Sequence, residues 1–315
     1  MKTEEQIRKN ERILRMLKRP EGPVDVVLDT DTYNEIDDQY ALAFLIKSAP
    51  RLRLVGIHAA PFYAPEFNHK SENPRDGMEK SYEEILHVLQ LMGREDLAPL
   101  ARKGSQEYLH SETEPVDSPA ARRLVELAME HSPEKPLYVL AIGAITNVAS
   151  ALLMEPEIKN RMVLVWLGGN AYSWPDNKEF NLFQDVAGAR VVFGCGVPLV
   201  QLPCLGVVSA FTTTGPELEH WLRGKNALCD YLVDITIREA EEYHMGACWS
   251  RAIWDVTAVG WLLGENYMQD RLTHSPIPEY DHRYSFSQDR HLIRCVYSIN
   301  RDALFHRLFT TLAEG

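Results

Sequence analysis

Five acidic residues, Asp29, Asp31, Glu35, Asp37 and Asp38, fall within ten positions directly behind the apolar run Val26-Val27-Leu28. Carboxylates crowded at the end of a strand repel one another, and the arrangement becomes favourable when a cation sits among them. Hard divalent cations take oxygen ligands of this kind. One or two of the four aspartates could instead cap the helix that follows, because a carboxylate near a helix N-terminus satisfies free N–H groups. Four exceed what a cap can use. Metal binding or acid–base chemistry is therefore the expected role of this loop.

Three more segments carry useful groups. Trp166-Leu167-Gly168-Gly169-Asn170 is followed by Glu179-Phe180-Asn181. The glycine pair permits a tight turn, and Asn and Glu offer donors and acceptors to hydroxyl groups, although an ordinary polar loop has the same look. Arg251-Ala252-Ile253-Trp254-Asp255 heads an apolar helix. There Asp255 reads equally as a cap and Trp254 as core. In Ala141-Ile142-Gly143-Ala144-Ile145-Thr146-Asn147 a strand stops at glycine. That leaves the Ile142 carbonyl free for a cation.

The elements that must position these residues follow from periodicity. Apolar runs predict strands at 24–28, 52–57, 137–142, 162–167 and 198–202. Helical spacing covers 37–47, 78–92, 118–131, 146–154, 185–193, 227–242, 252–263 and 301–312. Strand–helix–strand alternation implies parallel pairing with right-handed crossovers, hence an α/β fold with a mainly parallel central sheet flanked by helices. Sites in such folds lie outside the carboxyl ends of the strands, where the four segments fall. Residues 1–20 form an amphipathic helical extension that packs on the body or on a second subunit, and 21–315 form one catalytic domain.

The 315 residues are 45% hydrophobic and 25% charged, ordinary for a globular protein. A net charge of −12 argues against a nucleic-acid partner and for a small polar substrate. Five scattered cysteines without a CxxC pair read as free thiols in a reducing cytoplasm. Neither a signal peptide nor a membrane span is expected.

Together these segments resemble the inosine–uridine-preferring nucleoside hydrolase family. The matching pieces are Asp29-Thr30-Asp31 with Asp37-Asp38, then Gly143-Ala144-Ile145-Thr146-Asn147, Gly168-Gly169, Glu179-Phe180-Asn181, Asp185 with Ala189-Arg190, and Asp255. They arrive in the family's order. The resemblance implies calcium-dependent hydrolysis of the N-glycosidic bond of ribonucleosides. It implies Asp31, Asp38, Asp255 and the Ile142 carbonyl as calcium ligands, with Asp31 also taking the proton of the attacking water. Asp37 would contact the ribose 2′-hydroxyl, while Asn181, Glu179 and Asn170 grip the other sugar hydroxyls. A homodimer or homotetramer is implied as well.

Three departures modify that expectation. The interval between Asp31 and Asp37 is two residues longer than in the common DxDPGxDD form, so the loop can bulge and point Glu35 at the site. Trp254 stands where many relatives carry the histidine that protonates the leaving base. A Trp–Asp pair is similar to the purine-preferring branch, where the indole stacks on the base and makes its ring nitrogen more basic, so the expected substrate is a purine nucleoside. The G-N dipeptide after the second strand is missing, and the chain reads His58-Ala59-Ala60-Pro61-Phe62-Tyr63 instead. Phe62, Tyr63, Tyr172 and Trp174 are candidates for an aromatic wall, and His58, His69, His110 and His244 for an acid. Two alternatives remain: a calcium- and nucleoside-binding protein without turnover, and a phosphotransferase of the haloacid dehalogenase type built on Asp29-Thr30-Asp31-Thr32.

Overall fold

The computed structural model describes residues 4–314. Eight strands form its main sheet: β1 (Val24–Thr30), β2 (Leu52–Ala59), β3 (Ala101–Lys103), β4 (Leu137–Ala141), β5 (Met162–Leu167), β6 (Leu199–Leu202), β7 (Met268–His274) and β8 (Leu292–Ile299). Their spatial order is β3-β2-β1-β4-β5-β6-β8-β7. Every neighbouring pair is parallel except β8 with β7. The chain thus builds outward from β1 in one direction, then returns to β4 and builds in the other. The strand order reverses between β1 and β4, and a crevice opens there at the carboxyl ends.

Alternation along each strand divides the core. Val26, Leu28, Tyr138 and Leu140 face one apolar layer, and Val27, Leu137, Val139 and Ala141 the other. The first layer is closed by helices Asp37–Lys47, Val256–Leu263 and Arg301–Ala313, the second by Pro119–Met129, Thr146–Met154 and Val186–Cys195. Strands buried on both faces read as continuous apolar runs, which is why β4 and β5 were legible.

The N-terminal helix, Glu4–Met16, lies against the body: Ile13, Met16 and Leu17 are buried, and Arg19 donates to the carbonyl of Met268 at 2.9 Å and to Asp270 at 2.8 Å. Among the described residues no helix is long and apolar enough to cross a membrane.

Several boundaries differ from expectation. β1 runs to Thr30 and β2 to Ala59, so Asp29 and His58 are strand residues in register with each other rather than loop residues. The helix predicted over 185–193 is preceded by a separate turn of helix, Phe180–Gln184, with Asp185 capping its successor. The helix predicted over 252–263 begins at Val256, because Arg251–Ala252 pair with Thr212–Thr213 as a short antiparallel ribbon. β3, β7 and β8 were unforeseen. β3 is three residues long, and β7 is a half-exposed edge with few apolar residues.

Candidate active site

The four segments converge at the crevice between β1 and β4. One cavity is lined by Asp31, Asn34, Glu35, Asp37, Asp38, Ile142, Glu179, Asn181, Trp254 and Asp255, with Phe67, Leu167, Lys178, Phe180, Cys204 and Leu205 completing the wall. Asp31 directly follows β1, Asp37 and Asp38 open the following helix, Ile142 directly follows β4, and Asp255 stands at the N-terminal boundary of the late helix without capping it through its side chain. Ligand oxygens of Asp37, Asp38 and Asp255 lie within 4.8 Å of one another. The Asp255 N–H donates to Asp37 Oδ2 at 3.2 Å, which ties the late helix to the early loop.

These carboxylates are almost fully buried. Loss of water raises each above the usual carboxylate range, and each is raised further by acidic neighbours: Asp38 and Asp37 act on Asp31, Glu35 and Asp38 on Asp37, and Asp37 and Asp38 on Asp255. Asp38 is pushed up to about 6, chiefly by burial, although Thr30 Oγ1 donates to it. Asp31 Oδ2 is buried without a hydrogen-bond partner. A buried acceptor without a donor is costly, and a hard divalent cation supplies what the protein withholds. The donor set therefore fits such an ion. Gly143 keeps the space open, since a Cβ there would stand 3.1 Å from the Asp31 carboxylate.

The opposite wall is pre-set by hydrogen bonds. Asn181 Nδ2 donates to the carbonyls of Ile142 at 3.1 Å and Leu167 at 3.0 Å, so its two N–H groups are used and Oδ1 is left for a ligand. The Ile142 carbonyl keeps a second lone pair. Glu179 accepts from the backbone N–H groups of Gly169, Asn181 and Leu182 at 2.7, 2.9 and 3.0 Å, and the Cys204 thiol donates to it as well, so its carboxylate is held rigidly at the cavity wall.

Other expected residues lie elsewhere. Asn170 is fully buried off the cavity: its Nδ2 donates to the Asp176 carbonyl at 3.2 Å and its Oδ1 accepts from the Leu205 N–H at 3.1 Å, so it staples two loops. Asp29 lies behind the site, where Asn147 Nδ2 donates to it at 3.0 Å. Asp185 is held by Thr146 Oγ1 at 2.6 Å and the Gly188 N–H at 2.7 Å. The aromatic wall consists of Phe67, Phe180 and Trp254 rather than Phe62, Tyr63, Tyr172 and Trp174. Phe62 is core and the Tyr172 hydroxyl donates to Gln201 at 2.6 Å. None of the four candidate histidines lines the cavity. His58 is sealed in the interior, where burial drives it down to about 3. Of the lining residues missed in sequence, Cys204 and Leu205 follow the end of β6 and could have been found from the rule that sites gather at strand ends. Phe67 sits in irregular chain, where no such signal exists.

The inosine–uridine preferring nucleoside hydrolase model matches residues 26–305. The chain belongs to that family. This nucleoside hydrolase is therefore read as an N-glycosidase, and the phosphotransferase alternative falls away. It is 27% identical over 262 residues to the pyrimidine-specific ribonucleoside hydrolase RihA of Enterobacter sp., covering 76% of this chain and 78% of that protein. It is 23% identical over 249 residues to the probable uridine nucleosidase 2 of Arabidopsis thaliana, covering 70% and 71%. Among solved structures, the plant nucleoside hydrolase PpNRh1 superposes with a TM-score of 0.75 at 19% identity, covering 93% of this chain and all of that one. A purine-preferring ribonucleoside hydrolase from Gardnerella vaginalis gives 0.74 at 19%, covering 92% and 98%. The nucleoside hydrolases of this family are metal-dependent, and the acidic cage of this chain is placed accordingly.

Proposed function

We propose that this chain hydrolyses the N-glycosidic bond of ribonucleosides, purine nucleosides first, with a calcium ion held by Asp31, Asp38, Asp255 and the Ile142 carbonyl. The observation that carries this reading is the meeting in one cavity of carboxylates that lie 218 positions apart in the chain. As the glycosidic bond stretches, C1′ gains positive charge and needs a water on the face away from the base. A calcium ion held by those ligands would lower the pKa of a water bound beside it. Asp31, with one oxygen free of protein donors, accepts the proton. Asp37 accepts from the 2′-hydroxyl, and Asn181 Oδ1 and the Glu179 carboxylate take the remaining sugar hydroxyls, with Cys204 displaced from Glu179 by the sugar. The ring of carboxylates below the sugar favours its cationic form. Trp254 stacks on the base and makes its ring nitrogen more basic, so that solvent protonates the departing purine.

Phe67, Phe180 and Trp254 support a wide, flat base, whereas the curated relatives bear pyrimidine-specific names. Release of reducing sugar from inosine, guanosine, adenosine and uridine, with Asp31→Asn as control, ranks the bases. A purified protein that holds calcium but frees no sugar from any of them overturns the reading.

A further inference from the structure

Glu35 stands on the rim of the cavity and is used by neither the metal cage nor the sugar contacts. Its side chain keeps 31% of its surface, while the aspartates of the floor keep between 1% and 4%. It belongs to the loop that is two residues longer than the common family form. It is also firmly held. Arg251 Nη2 donates to Glu35 Oε2 at 2.7 Å and to Glu239 Oε1 at 2.6 Å, and Glu239 pairs in turn with Lys70. The guanidinium is itself mostly covered, with 17% of its side chain exposed. One Glu35 oxygen is therefore fixed, and Oε1 has no partner among the described residues. Trp254 and Phe67 line the same cavity. A nucleoside seated sugar-down on the aspartates would share this cavity with Glu35, its base reaching away from the sugar toward an outer edge.

We propose that Glu35 reads an exocyclic amino group on that outer edge, favouring adenosine over inosine and cytidine over uridine. The inference rests on the nucleoside hydrolase reading of the same cavity. A carboxylate accepts from an amino group at C6 of a purine or C4 of a pyrimidine, and it repels a carbonyl oxygen at that position. Inosine and uridine still offer a ring N–H, but each sets a carbonyl oxygen beside it. Because Arg251 already fixes the acceptor, little ordering is lost when the base arrives. On a half-exposed rim the preference should be about tenfold in kcat/KM.

The test is kcat/KM for adenosine, inosine, cytidine and uridine with the wild type, Glu35→Gln and Glu35→Ala. The wild type should favour the amino member of each pair by about tenfold. Glu35→Gln keeps an oxygen for Arg251, and its amide serves either base, so both ratios should move toward one. Glu35→Ala should depress adenosine and cytidine selectively. A purely structural Glu35 would instead lower all four substrates together with unchanged ratios, and that result, or a wild-type preference for inosine and uridine, overturns the proposal. A wild type that frees sugar from none of the four fails earlier, because the hydrolase reading then falls too.

Discussion

Asp29 and Asp31 sit two residues apart at the end of one strand, both buried, in opposite kinds of surroundings. Asp29 is alone among neutral partners. Asn147 donates to it at 3.0 Å, and His58 stands 4.0 Å away. Burial pushes Asp29 up to about 7 and His58 down to about 3, so between those values the two are uncharged neighbours rather than an ion pair. Asp31 meets Asp37, Asp38 and Asp255 across an open cavity. Burial alone therefore does not mark a site. An unfilled acceptor does not mark one either, since Asp29 Oδ1 lacks a partner just as Asp31 Oδ2 does; several like charges facing one open space do, since a ligand can relieve them.

The sharpest way to break this comparison is to neutralise each member. Asp31→Asn should lower kcat/KM by on the order of 10³-fold, from loss of the base and of a metal ligand. It should also raise the melting temperature of the metal-free protein, because one of four mutually repelling carboxylates is gone. Asp29→Asn keeps an acceptor for Asn147 and should change kcat/KM by no more than a few-fold. Equal losses in steady-state assays would erase the distinction.

Metal removal acts on one region only. Calcium at about 100 times its dissociation constant stabilises the folded chain by about 2.7 kcal/mol, roughly 4 °C in Tm for a domain of this size. Scanning calorimetry after chelation and after calcium addition measures that shift. Asp255→Asn should lose most of it, whereas His58→Gln should keep all of it. A shift that survives in Asp255→Asn would place the ion elsewhere.

The sealed pocket answers to pH instead. His58 has a folded value near 3 against an unfolded 6.5, so the unfolded chain binds the proton first as pH falls. Its contribution is complete above pH 6.5 and is lost progressively between 6.5 and 3. Asp29, raised to about 7, has the reverse sign. Its neutral form stabilises below 3.8, and the benefit drains away as pH rises to 7. Relative to His58→Gln, the wild type should lose about 2–3 kcal/mol between pH 7.5 and 4.5 in denaturant titrations. A pH-independent difference would mean that His58 is not held neutral.

The same contrast explains what could be read in the chain itself. The meeting of these acidic residues in one cavity was legible because carboxylates behind an apolar strand have few structural uses, and because β1, β4 and β5 are buried runs with plain signatures. Asn170 misled because residue type does not tell whether an amide faces a cavity or staples loops, as it does here. The aromatic wall was misjudged because Phe67 is brought in by irregular chain, which carries no periodicity. The edge formed by β7 and β8 was missed because an exposed antiparallel strand such as Met268–His274 needs few apolar residues.

Trp254 carries the smallest predicted effect, and it separates two ways in which an aromatic ring can serve. It lines the cavity and is only partly buried, so Trp254→Phe keeps a ring while shrinking the stacking face. If the indole merely binds the base, ground state and transition state lose alike, so KM rises and kcat holds. If stacking makes the leaving nitrogen more basic, the loss falls on the transition state, and kcat drops with little change in KM. We expect the second pattern with purine nucleosides, about 3–10-fold in kcat, the worth of one aromatic contact. Uridine, with a smaller ring to stack, should lose less. An equal rise in KM for purine and pyrimidine substrates, with kcat untouched, would reduce Trp254 to a wall and move the leaving-group question to the solvent alone.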